Sequence, residues 1–185
     1  MGRFSFIMAL ILFVLTGCQT ESSEKLDVSK LEKRSPLETE GLPLSYVAPS
    51  VEIALEAVPF QLTLPNKLPF ESDGFRNMDI VDWFERDGKN ISIDFIAIDQ
   101  NASGEPSYVF VSAQDFQVEL SARGEEATLQ NETAAIFIIG VQYKADISFI
   151  HNGVLIGVAF EGRDKEYTTD ELKEIVLQLA NQMGK

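Results

Sequence analysis

Cysteine is nearly missing from this chain: of 185 residues, only Cys18 carries a thiol. Whatever folds beyond it must hold by packing, without a disulfide, a thiolate metal site or a thiol nucleophile. Histidine is as scarce, His151 being the one imidazole. A Ser-His-Asp arrangement would have to recruit it, yet no serine sits in the strained elbow that such a nucleophile needs. Its place beside Asn152-Gly153 reads as that of a turn-flanking residue. Basic residues are outnumbered, 15 Lys and Arg against 29 Asp and Glu, for a formal charge of −14. A phosphate backbone is gripped by a basic face, so nucleic acid is set aside as a partner. Anionic headgroups would repel such a body as well, so it is expected to stand off a bilayer and be held by something other than charge. Long apolar runs are absent but for Phe4 to Leu15. A dozen helical residues cover about 18 Å against a hydrocarbon core of about 30 Å, so this run reads as a targeting segment rather than a spanning helix.

What is present begins with that segment. Arg3, the apolar run and the small Gly17 follow the order of a signal peptide over residues 1–17. Leu15-Thr16-Gly17-Cys18 resembles the lipobox of bacterial lipoproteins. The resemblance implies a thioether-linked diacylglycerol on Cys18 and a mature chain starting there, at −15 once Arg3 is lost. Two acyl chains, at about 0.8 kcal/mol per buried methylene, meet the two-signal requirement for stable anchoring. The expected location is therefore the extracytoplasmic face of the cell membrane, with the membrane as partner through the lipid on Cys18.

Hydrophobic residues at 45% and charged residues at 24% are what a globular domain carries. From Gln19 to Ser50, mixed charges, serines and Pro36, Pro43 and Pro49 suggest a segment unable to bury enough surface to offset its ordering entropy. Residues 18–50 are thus expected as a lipid-anchored flexible tether, reaching about 30 Å as a coil. A single domain is expected over 51–185. Ser50 suits the N-cap of a short helix, Val51 to Ala57, ended by Pro59. Alternation predicts strands at Phe60–Leu64, Met78–Phe84 and Ile91–Ile98, the last two joined by a hairpin containing Asp87-Gly88. Ile91, Ile93, Phe95 and Ala97 would share one face, and the doubly apolar second half of that strand suggests a central position. Further strands are expected at Ser107–Ser112, Phe116–Ser121 and Ala134–Ile139.

The firmest local pattern is Ala145 to Glu161. Asn152-Gly153 as a type I′ turn pairs His151 with Val154, Phe149 with Ile156, Ile147 with Val158 and Ala145 with Phe160. Thr168 to Glu171 then forms a capping box, ahead of Leu172, Ile175, Val176, Leu179 and Met183 at helical spacing. The fold class is α+β, an antiparallel sheet of about six to eight strands with a C-terminal helix on one face.

Glu56-Ala57-Val58-Pro59-Phe60, then Leu64-Pro65 and Leu68-Pro69, together with the hairpin and the helix led by Glu171-Leu172, resemble a small domain of unknown function. That domain occurs in Gram-positive extracytoplasmic lipoproteins and at the C-terminal ends of some anti-sigma-factor-like regulators. The resemblance touches both ends of 51–185 and brings no catalytic residues with it.

Three constellations suggest chemistry. Asp99 to Gly104 places oxygen ligands at alternate positions before a glycine, as a calcium loop does, but Phe110 stands where a bidentate glutamate belongs and Pro106 interrupts; an ordinary polar loop accounts for it. Asp79, Asp82, Glu85 and Asp87 are dense, but Asp79 and Asp82 fall on opposite faces of one strand, and a solvated face is the default. Trp83, the one tryptophan, suits a core or interface. No catalytic set, cofactor or metal site is therefore expected. The leading functional expectation is a non-enzymatic module binding an envelope protein or ligand. The alternative is a carrier of an apolar ligand in a cavity between sheet and helix. A carboxylate hydrolase ranks last.

Overall fold

The computed structural model describes residues 25–34, 42–84, 87–121, 123–140 and 143–183. The signal segment, Cys18 and Glu85 lie outside the described residues. One antiparallel sheet of nine strands organises the rest: β1 (Glu32–Lys33), β2 (Leu44–Val47), β3 (Arg76–Asp82), β4 (Ile91–Ile98), β5 (Tyr108–Gln114), β6 (Glu125–Thr128), β7 (Ala134–Ile139), β8 (Lys144–His151) and β9 (Val154–Glu161). Two helices, α1 (Val51–Ala57) and α2 (Thr169–Met183), complete it. The α+β class is as expected; nine strands exceed the expected six to eight.

The strand order is β1-β2-β3-β4-β5-β9-β8-β7-β6. Two meanders, β1 to β5 and β6 to β9, therefore meet where β5 pairs with β9, from Tyr108 opposite Glu161 to Gln114 opposite Leu155. The edges are short and charged, Glu32-Lys33 on one side and Glu125-Glu126 on the other, which discourages edge-to-edge pairing.

Turn and cap chemistry explains the best-defined elements. Asn152 (φ +50) and Gly153 (φ +78) form the tight turn of β8–β9, and the register runs from His151 opposite Val154 to Ala145 opposite Phe160, as the sequence predicts. Thr168 Oγ1 accepts from the Glu171 amide (3.3 Å) while the Glu171 carboxylate accepts from the Thr168 amide (2.8 Å), closing the capping box of α2. The Ile53 amide donates to Ser50 Oγ at 3.3 Å and starts α1; Val58, extended before Pro59, ends it.

Among the described residues, the helices cover one face of the sheet. Ile91, Ile93, Phe95 and Ala97 of β4, with Phe137, Ile147, Phe149, Ile156 and Phe160, are 0–1% exposed beneath the helices. Burying a phenylalanine contributes about 1.5–3 kcal/mol, so this layer dominates stability. Above it, α2 buries Leu172, Val176, Leu179, Ala180 and Met183, and α1 buries Ala54 and Ala57.

Three expectations fail here. Phe60–Leu64 forms no strand; Phe60, Leu62 and Leu64 pack side-on against the core as an irregular ribbon between the helices, which satisfies the alternation without a partner strand. Phe116–Ser121 is irregular too, with Gln117 at φ +49 in the crossing from β5 to the far edge. The β3–β4 hairpin, by contrast, forms as expected, closed by Trp83 N–H to Asn90 C=O (2.9 Å), with the Gly88 amide donating to Asp82 at 3.0 Å. The segment expected as a tether is folded in its described part. Leu26 is buried, its amide donating to the Gly88 carbonyl (2.8 Å), Asp27 N–H donates to Ala57 C=O (2.8 Å), and β1 and β2 join the sheet ahead of Val51.

Candidate functional site

The second face of the sheet has no described element over it, and register fixes what it presents. One row across it runs Asp79, Asp94, Ser112, Gly157, Ser148, each opposite the next on adjacent strands. A second runs Arg76, Ile96, Phe110, Ala159, Asp146, Ile138. A third runs Val81, Ser92, Gln114, Leu155, Ile150. A polar stripe thus lies between two apolar bands. Gly157 keeps the stripe low, because a Cβ there would stand 2.7 Å from Ser112 Oγ.

Asp79 and Asp94 face each other directly, an arrangement that raises the energy of a strand pair. Burial, then the Asp79 charge, pushes the Asp94 carboxyl above the usual carboxylate range. Asp79 is eased by the Ser45 hydroxyl, which donates to it. Burial also raises Asp146 despite Lys144 at 3.6 Å. These are partly desolvated carboxyls on an otherwise apolar face.

At the hairpin end of this face three rings gather. Trp83 Nε1 donates to Ser92 Oγ at 2.8 Å, and the Trp83 ring lies 6.1 Å from Phe116 and 6.4 Å from Phe84, with Phe84 and Phe116 edge-to-face at 5.5 Å. Phe84 is 56% exposed.

Two clefts lie away from this face's centre. One, of about 1000 Å³, opens between the start of α1, residues 64–75 and residues 100–101, with Leu68, Phe70 and Phe75 beside Glu71, Asp73 and Arg76. The other, of about 510 Å³, surrounds Arg163 and Tyr167. There Arg163 pairs with Glu105 (2.8 Å) and Glu161 and lies over the Tyr143 ring. The Tyr167 hydroxyl donates to Asp164 (2.7 Å), and burial, with that carboxylate, pushes its pKa well up.

The constellations singled out in the sequence are dispersed. Asp79 lies on the open face, Asp82 is buried on the other, and Asp87 pairs with Lys89 at 2.9 Å. Asp99 accepts from the Asn101 amide at 2.9 Å, while the Gln100 and Asn101 side chains donate to Asp73 and Glu71. Among the described residues no three His, Cys, Asp or Glu side chains gather to hold a metal ion. His151 is half-buried, its ring against the Asn152 amide at 3.1 Å. Sequence reasoning missed the Asp79–Asp94 apposition, which depends on the length of the β3–β4 connection; alternation alone places the two residues on outward faces of neighbouring strands. The space between α2 and the sheet, where an apolar carrier would hold its ligand, is filled by Phe137, Phe149 and Phe160.

No described helix is long and apolar enough to cross a membrane. Comparison with protein-family models, characterised proteins and solved structures finds no match to this chain.

Proposed function

We propose that this chain is a lipoprotein, anchored by acyl chains on Cys18 at the extracytoplasmic face of the cell membrane, and that its domain is a non-enzymatic binding module. The observation that carries the binding reading is the one-sided sheet. Nine strands have their described helices and ribbon on one side, while the other offers the half-buried Phe110 and Leu155 in bands flanking the Asp94–Ser112 stripe. An envelope protein contributing apolar side chains to the bands and hydrogen-bond donors to the stripe fits that pattern. The test is photo-crosslinking in the native membrane from position 112, exposed at the centre of the stripe, against position 174, exposed on α2. A discrete adduct from 112 and none from 174 is expected; equal labelling from both removes the face as the binding surface.

The cleft at the start of α1 favours a second reading, with an apolar ligand held between Leu68, Phe70 and Phe75 rather than beneath α2. Its volume of about 1000 Å³ is at the upper end of small-molecule sites. Native mass spectrometry of the purified protein separates the two: a co-purifying apolar molecule that leaves on Phe70→Asp supports the carrier, and its absence with no uptake of a lipid probe removes it.

A further inference from the structure

The chain joins the fold at the β3–β4 connection, which carries Trp83 and the exposed Phe84. Leu26 pairs with the Gly88 carbonyl, and a Cβ on Gly88 would lie 3.3 Å from the Lys25 Cβ. Gly88 belongs to the β3–β4 connection, whose first residues are Trp83 and Phe84 and whose closing bond is Trp83 N–H to Asn90 C=O. Six residues, 19–24, separate Cys18 from Lys25, seven steps of chain from one to the other. Even fully extended they span at most about 25 Å. A lipid on Cys18 therefore keeps Lys25, and the β3–β4 connection it packs against, within that distance of the bilayer.

We infer that the Trp83–Phe84–Phe116 triad is a second membrane contact, seated in the headgroup zone of the bilayer that holds the Cys18 lipid. Three observations support a lipid surface as its occupant. The short lead from Cys18 brings the surface within reach. Tryptophan is a side chain that interfacial zones favour, its ring apolar but for one N–H, and the exposed Phe84 adds apolar surface beside it. The charges at this end are mixed, Lys25 and Lys89 beside Asp82, Asp87 and Asp115, in a chain that is otherwise strongly acidic. Repulsion by anionic headgroups, which would hold the body away, is therefore reduced at this end. The domain rests on the membrane through its β3–β4 end, with the open face standing upright beside the lipid surface.

This inference rests on the lipid anchor of the proposed function, and one sample tests both. The full-length acylated protein is reconstituted into phosphatidylcholine vesicles, with and without brominated acyl chains, and the emission of Trp83, the one tryptophan, is followed. Trp83 fluorescence is expected to fall roughly twofold with brominated lipid and to recover substantially in Phe84→Ser, whose exposed site leaves folding intact. Protein that floats with the vesicles while Trp83 stays unquenched overturns the second contact and leaves the anchor standing. Protein that fails to float overturns the anchor, and this inference with it. A blue shift that appears without vesicles and grows with protein concentration assigns the triad to a second copy of the chain and also overturns the inference.

Discussion

Ser107 is 1% exposed and its hydroxyl does two jobs: it donates to Asp164 at 2.8 Å and accepts from the Arg163 amide at 3.1 Å. It thereby ties the start of β5 to the segment that leads from β9 into α2. Ser107→Ala leaves the Arg163 amide without its acceptor and Asp164 with one hydroxyl donor, Tyr167, instead of two. A buried group left unsatisfied costs about 1–3 kcal/mol, and the exposure of Asp164 places the expected loss near 1–2 kcal/mol. At about 2–4 °C per kcal/mol for a domain of this size, the melting temperature falls by about 2–8 °C. The loss also depends on pH. Burial tends to raise the Asp164 carboxyl, but the Tyr167 and Ser107 hydrogen bonds outweigh it and hold the folded value below the ordinary one. Stability from a depressed carboxyl is present above its unfolded value, about 3.9, and is lost as pH falls through the folded value. The deficit of Ser107→Ala should therefore be full at pH 7 and narrow below about pH 4. Urea unfolding of the wild type, Ser107→Ala, Tyr167→Phe and the double variant measures it. The shared acceptor predicts non-additivity of at least about 0.5 kcal/mol. A loss at pH 7 smaller than that, or additive variants, would refute the tie.

Asp94→Asn should raise the melting temperature at pH 7, because burial and Asp79 raise the folded carboxyl. A raised carboxyl penalises the charged fold at high pH and relaxes as pH falls through its folded value, so the gain should shrink in acid; a gain unchanged down to about pH 3 sinks the account. Thr168→Ala removes the capping hydroxyl of α2 and should cost about 1 kcal/mol by chemical denaturation, with Ser substantially restoring it. Phe149→Ala, 0% exposed beneath α2, should cost about 3–5 kcal/mol in the same assay; a loss under about 1 kcal/mol would mean the layer between helix and sheet is not packed as described. Cys18→Ser should abolish metabolic acyl labelling while the far-UV spectrum of the sheet is kept; labelling that persists removes the lipid anchor.

Where turn or cap chemistry specified pairing, the sequence could be read. Asn152-Gly153 fixed both the position and the register of β8–β9, and Ser50 and the Thr168–Glu171 box marked the helix starts. The failures have physical causes. Glu32-Lys33 and Leu44–Val47 are short, with no residue fully buried, so their charges and prolines read as unfolded chain although the backbone is paired. Glu125-Glu126-Ala127-Thr128 forms an edge strand with little apolar signal of its own. Phe60, Leu62 and Leu64 alternate because one side meets the core, and alternation does not say whether a neighbouring strand exists. The candidate binding face was still less legible. Each of its rows takes residues from five or six strands, and the order that sets β5 beside β9 is not written in any local stretch.

That order divides the molecule along a single seam. Each meander carries part of its own cover, with α1 on the first and α2 on the second, and within each meander neighbouring strands are also neighbours in sequence. Local pairings form faster than distant ones. Joining β5 to β9 is the step that must close the long intervening chain, so the two halves can take shape separately and meet late. A chain cut in the crossing between Gln114 and Glu125 would yield two fragments with complementary bare edges, β5 on one and β9 on the other. Mixed together, they should reassemble the nine-stranded sheet.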